Sequence, residues 1–184
     1  MSAAGGKSSN TLGFLTVEDC TQRGLFGGYL LLNAAGRPLE FHCTAPVKPN
    51  RAQQILYGTT LAPFLYGEQI GHTLLREASL APSVVLTDCV EMHALAPLVD
   101  CPVVLVEQAL PARASAVEEA NLGATWDWFA AGSHRVAMAS GGAAERDLVI
   151  RQMLSLPAQF DPAEPFERIR LAIAEAAGPQ TKAA

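Results

Sequence analysis

Charge is scarce in this chain. Of 184 residues, 17% are Asp, Glu, Lys or Arg, and 13 basic against 18 acidic groups leave a formal charge of −5. Neither sign is gathered into a long run, so the basic footprint of a nucleic-acid binder is missing, and no nucleic-acid partner is expected. Long apolar runs are missing too. Nothing approaches the roughly 20 residues that a membrane-spanning helix needs, and the opening MSAAGGKSSN holds no apolar core for a secretory signal. The expectation is a cytoplasmic protein with no membrane partner.

Cysteine is sparse and unpaired in sequence. Cys20, Cys43, Cys89 and Cys101 include no Cys-x-x-Cys pair, which argues against a disulfide framework and against a zinc ribbon. The catalytic signatures are absent as well: no Gly-x-Ser-x-Gly elbow, no His-Glu-x-x-His, no Gly-x-Gly-x-x-Gly after a strand. Gly6-Lys7-Ser8 imitates the end of a phosphate-binding loop, but the glycine required five positions earlier is Met1. No cofactor is implied.

Apolar residues are plentiful, at 49% of the chain. That is enough for one folded domain, placed here at residues 11–177 between small, polar tails at 1–10 and 178–184. Segments 12–18, 25–33 and 38–45 read as strands of aromatic and aliphatic residues bounded by Gly, Asn and Pro. Asn33 to Pro38 reads as a hairpin turn with Gly36 free to take positive φ. From Pro82 onward the pattern alternates: 83–87 and 102–106 are apolar on both faces, as buried parallel strands are, with a helix or turn over 89–99 between them. The fold class is α/β of the mixed α+β kind, an N-terminal antiparallel meander joined to a βαβ-like unit with covering helices.

Helices are expected over 51–57, from a cap at Thr60 through Ala78, over 112–121, from Ser140-Gly141-Gly142 through Leu154, and from Asp161–Pro165 to near the end. On the second, Phe64, Gly67, Gly71, Leu74 and Ala78 share a face, and the two glycines would let another element come close. Residues 124–131 are ambiguous between helix and strand. On a strand, Trp126 and Trp128 would share a face as packing aromatics.

Three sets of residues are candidates for chemistry. Lys48, Asn50 and Arg51 stand at a helix start between two prolines, where backbone N–H groups and cationic side chains could hold a small anionic ligand. Asn50 with Gln53 is also a capping box, so the same cluster serves as a plain helix start. Ser140, Gly141 and Gly142 between a strand and a helix could cradle an anion by free N–H groups, although ordinary turns look the same. Cys89 and His93, four apart, could act as nucleophile, acid or base, or share a metal ion with Asp88, His42, Cys43 or Cys101 as companions; buried packing of the cysteine is the competing reading. The Glu118–Glu119 and Glu164–Glu167 pairs read as solvated helix faces.

The leading expectation is a non-catalytic binding or regulatory module that acts through a protein partner or by self-association. The alternative is a small-molecule enzyme that binds an anionic substrate near Lys48 and Arg51 or at the 140–142 loop and works through Cys89 and His93.

Overall fold

A computed structural model describes residues 10–20, 22–107, 126–139 and 141–176. Its centre is a seven-stranded mixed sheet in the order β3-β2-β1-β4-β5-β7-β6. β1 (Thr11–Cys20), β2 (Gly24–Asn33) and β3 (Pro38–Cys43) form the antiparallel meander. The β2–β3 turn closes as its residues dictate: Gly36 has φ 73°, and the Asn33 side chain accepts the N–H groups of Ala35 and Arg37. β4 (Val84–Thr87) lies parallel to β1, and β5 (Val103–Val106) parallel to β4. β7 (His134–Met138) runs antiparallel to β5, and β6 (Asp127–Ala131) pairs with β7 at the edge.

The two-residue strand period sorts side chains onto two buried faces. Leu12, Phe14, Phe26, Leu30, Val84, Leu86, Val104 and Val106 fall on one, beneath α4 (Ala143–Leu154) and α5 (Glu164–Ala176), which contribute Val149, Met153, Phe166, Ile169 and Ile173. Leu15, Val17, Leu25, Tyr29, Leu31, Val85, Val103 and Leu105 fall on the other. That second face is covered by the three-residue α2 (Leu61–Pro63), a π-helical segment Phe64–Gly71, α3 (His72–Glu77) and a 3₁₀ segment Val90–Leu98, with α1 (Arg51–Tyr57) at its rim and burying no residue.

Several helix expectations change. The helix read through Ala78 is interrupted by the π-helical stretch, and residues 89–99 form 3₁₀ rather than α-helix, with Pro97 inside it. Leu154, expected on the apolar face of α4, is 63% exposed. Residues 124–131 resolve as strand from Asp127 onward, whereas the helix read over 112–121 lies outside the described residues, as do both tails except Asn10. The glycines on the π-helical stretch do admit a neighbour: a Cβ on Gly67 would stand 2.7 Å from the Leu95 backbone nitrogen.

Candidate functional site

β1 and β4 are parallel neighbours, yet the chain leaves β1 toward β2 on one side and returns to β4 on the other. The connections therefore reverse direction between these two strands, and their carboxyl ends open into a crevice of the kind in which open α/β sheets bind ligands. The residues there are Thr16 and Glu18 at the end of β1, and Asp88 just after β4. Thr16 and Glu18 are two apart and so share the face that α5 covers. The Leu15–Thr87 register brings the next residue pair, Thr16 and Asp88, to the same level.

Into this corner α5 sends Arg170, one turn from Glu167. Its guanidinium donates to the Asp88 carboxylate in a short contact, to Glu18 Oε2 at 3.3 Å, to Glu167 Oε1 at 2.8 Å and to the Thr16 hydroxyl at 3.5 Å. The partners differ in depth: the side chain of Asp88 is 5% exposed, that of Glu18 42% and that of Glu167 69%. Burial works against the charge on Arg170, but Asp88, Glu167 and Glu18 outweigh it and raise its pKa. At the same end of the sheet, but on its opposite face, Arg135 pairs with Glu107 at 2.6 Å and lies over the Trp128 ring, 4.9 Å from its centroid.

Cys89 borders this corner. Its thiol donates to Asp88 Oδ1 at 3.4 Å, and burial, with the Asp88 charge beside it, pushes its pKa far up. A thiol held in that state is a poor nucleophile and a poor metal ligand. His93 makes a separate hydrogen bond, Nδ1 to the Val90 carbonyl oxygen at 3.0 Å, and meets Trp126 edge-on. No group of three or more His, Cys, Asp or Glu side chains among the described residues is placed to hold a metal ion. Of the named companions, His42 pairs with Glu40 at 2.6 Å, Cys43 is exposed, and burial raises Cys101 to about 11.

The other candidate groups spend their polar atoms locally. Asn50 caps α1 through the full box, accepting from Gln53 N at 2.8 Å while Gln53 Oε1 accepts from Asn50 N at 2.9 Å. Lys48 donates to the Gln22 carbonyl oxygen at 2.7 Å, and Arg51 to Gln54 at 3.3 Å. No hydrogen bond or ion pair among the described residues joins Lys48 or Arg51 to Cys89 or His93. Gly142 N–H donates to Glu145 Oε2 at 2.9 Å, so a carboxylate of α4 itself sits where an outside anion would be held. Gly141 has φ 146°; Ser140 lies outside the described residues.

Arg170 is what the sequence reading missed. Eighty-two residues separate it from Asp88, and no local spacing links them. The available signal was Glu167 and Arg170 at i and i+3, with Arg170 four residues after Phe166 and so at the margin of the helix's apolar face.

No family model and no curated protein sequence matches the chain. Among solved structures, human Endonuclease V is similar at 16% identity and a TM-score of 0.49, over 92% of this chain and 87% of that one. The catalytic domain of the human protein gives 16% and 0.48, over 93% and 85%. Ciona intestinalis Endonuclease V, in complex with a DNA containing an inosine followed by a ribo-adenosine, gives 12% and 0.47, over 90% and 87%. The likeness is in the path of the chain. These proteins are nonetheless endonucleases, one of them bound to DNA, and the expectations of a non-catalytic regulatory module, of a protein partner or self-association, and of no nucleic acid are withdrawn against them.

Proposed function

We propose that the chain is a nucleic-acid-processing protein that receives a sugar-phosphate backbone at the carboxyl ends of β1, β4 and β5. The observation that carries this reading is the Asp88–Arg170 pair at the reversal point of the sheet. Asp88 is buried and fixes one edge of the guanidinium. Glu18 and Glu167 hold the remaining donors from exposed positions, where an ion pair is worth about 0–1 kcal/mol. A phosphate oxygen can replace those two carboxylates at little cost, because a guanidinium fork fits phosphate as well as carboxylate. The overall charge of −5 counts against non-specific attraction, so recognition rests on this one corner.

The experiment is fluorescence anisotropy with labelled single-stranded and duplex DNA and RNA, with and without an inosine, followed by gel analysis of the same mixtures for cleavage. The expected result is binding that weakens as salt rises and drops when Arg170 is changed to Gln. Absence of binding to every oligonucleotide at protein concentrations of about 100 µM, the weak end of non-specific binding, would overturn the reading.

A further inference from the structure

We infer that Arg170 is the resident cation of the strand-end site and that nucleic acid is held there without a divalent ion. The inference rests on the reading of this corner as the working site. Proteins that handle phosphodiesters commonly bring a metal ion between carboxylates and phosphate, as a clamp on the oxygens that carry charge. That role needs several carboxylate oxygens with free lone pairs converging on one point. Here the carboxylates of Asp88, Glu18 and Glu167 converge on a guanidinium, and the Thr16 hydroxyl does the same.

Asp88, the innermost, also accepts from the Cys89 thiol through its other oxygen. Both of its oxygens are thus engaged by groups of this chain. The donor set does not fit a divalent ion, and among the described residues no other cluster takes its place. What the corner offers a phosphate is a charge that is covalently part of α5. It keeps that charge over the whole working pH range, and it needs no ion from solution.

The test uses the intact chain. Manganese is titrated into wild type, Arg170→Gln and the double variant Arg170→Gln with Asp88→Asn, and the free ion is followed by electron paramagnetic resonance, with no nucleic acid present. Wild type is expected to leave the ion free. Arg170→Gln, with its carboxylates released, is expected to bind manganese roughly tenfold or more tighter than wild type, and the double variant to lose that gain. One equivalent of manganese bound by wild type and lost in the double variant would overturn the inference, as would the absence of any gain in a folded Arg170→Gln.

Should Arg170→Gln fail to fold, wild type decides alone: the titration stands, and oligonucleotide binding is compared in excess chelator and in millimolar magnesium. Equal affinity in the two buffers supports the inference, and a magnesium requirement overturns it. Because the manganese titration contains no nucleic acid, its outcome is separate from that of the oligonucleotide experiment.

Discussion

The two faces of the sheet are covered in different ways. Under α4 and α5 the contact is made by side chains: Phe166 sits edge-on to Phe14 at 5.6 Å between ring centroids, and Ile169 and Ile173 press on Gly28 of β2. On the other face the covering segments also meet each other backbone to backbone. A Cβ on Gly67 would meet not only the Leu95 nitrogen but also the Ala94 carbonyl carbon, at 2.9 Å. The adjacent glycines of β2 divide between the faces, Gly28 under Ile169 and Gly27 under Ile70. Both faces thus leave room at a β2 glycine, and the second adds a backbone contact between the segments that cover it.

The sharpest way to break that contrast is to remove atoms from the first face. Phe166 is fully buried, and Phe166→Ala is expected to destabilise the fold by about 3–5 kcal/mol, the range for emptying an aromatic site. Urea unfolding of the two proteins checks it, and a loss under 1 kcal/mol would mean that α5 collapses freely onto the strands. The second test adds atoms to the other face. Gly67→Val is expected to cost about 1–3 kcal/mol or more, because the neighbouring backbone cannot swing aside as a side chain can. Gly71→Ala should cost less, since its nearest neighbour is the Met92 sulfur at 2.9 Å, the end of a flexible side chain. If Gly71→Ala proves the more damaging of the two, the backbone contact at Gly67 is not what limits that face.

The same contrast explains what could be read in advance. Side-chain packing leaves a periodic trace in sequence. The strands and the meander were legible from it, as were Phe166, Ile169 and Ile173 on α5. Close backbone contact leaves only glycines, and Gly67 and Gly71 say that something approaches without saying that the helix widens into π geometry or that a 3₁₀ segment is what arrives. Leu154 was misplaced for a related reason, since it follows an apolar rhythm that α4 does not use for burial.

The site was less legible than the fold. Asn50 was readable because a capping box is local, four residues deciding both hydrogen bonds. Asp88 drew notice only as a companion of Cys89. Its principal partner, Arg170, belongs to the last helix, and the pair exists because the topology carries α5 across the ends of β1 and β4. Charge spacing along a chain cannot report a contact that strand order creates.

Two smaller effects refine the picture of the glycine-packed face at its rim. α1 buries no residue, and Ile55 and Leu56 are exposed. Asn50→Ala should cost about 1 kcal/mol of helix stability, yet little of it should reach the core. Amide exchange is expected to quicken across Arg51–Tyr57 while the exchange of β1 stays unchanged. A matching acceleration in β1 would show that α1 is coupled to the sheet after all.

The last effect is confined to acid. Glu40 lies on β3, at the edge of the sheet, and accepts the N–H groups of Ser79 and Leu80 at 2.7 and 3.1 Å, tying the connection between α3 and β4 to that edge. The Ser79 hydrogen bond first, and then His42, hold its pKa down at about 2, against an ordinary value of 4.5. A carboxylate whose folded pKa is depressed stabilises the fold fully above its unfolded pKa, and loses that contribution as pH falls through the folded value. The stability that Glu40 supplies is thus complete at neutral pH and drains away between about pH 4.5 and about pH 2. Glu40→Gln keeps the shape of the side chain without the titration, so its unfolding midpoint should vary less than that of wild type across this window. If the two proteins lose stability in parallel there, the acid response belongs to other carboxylates.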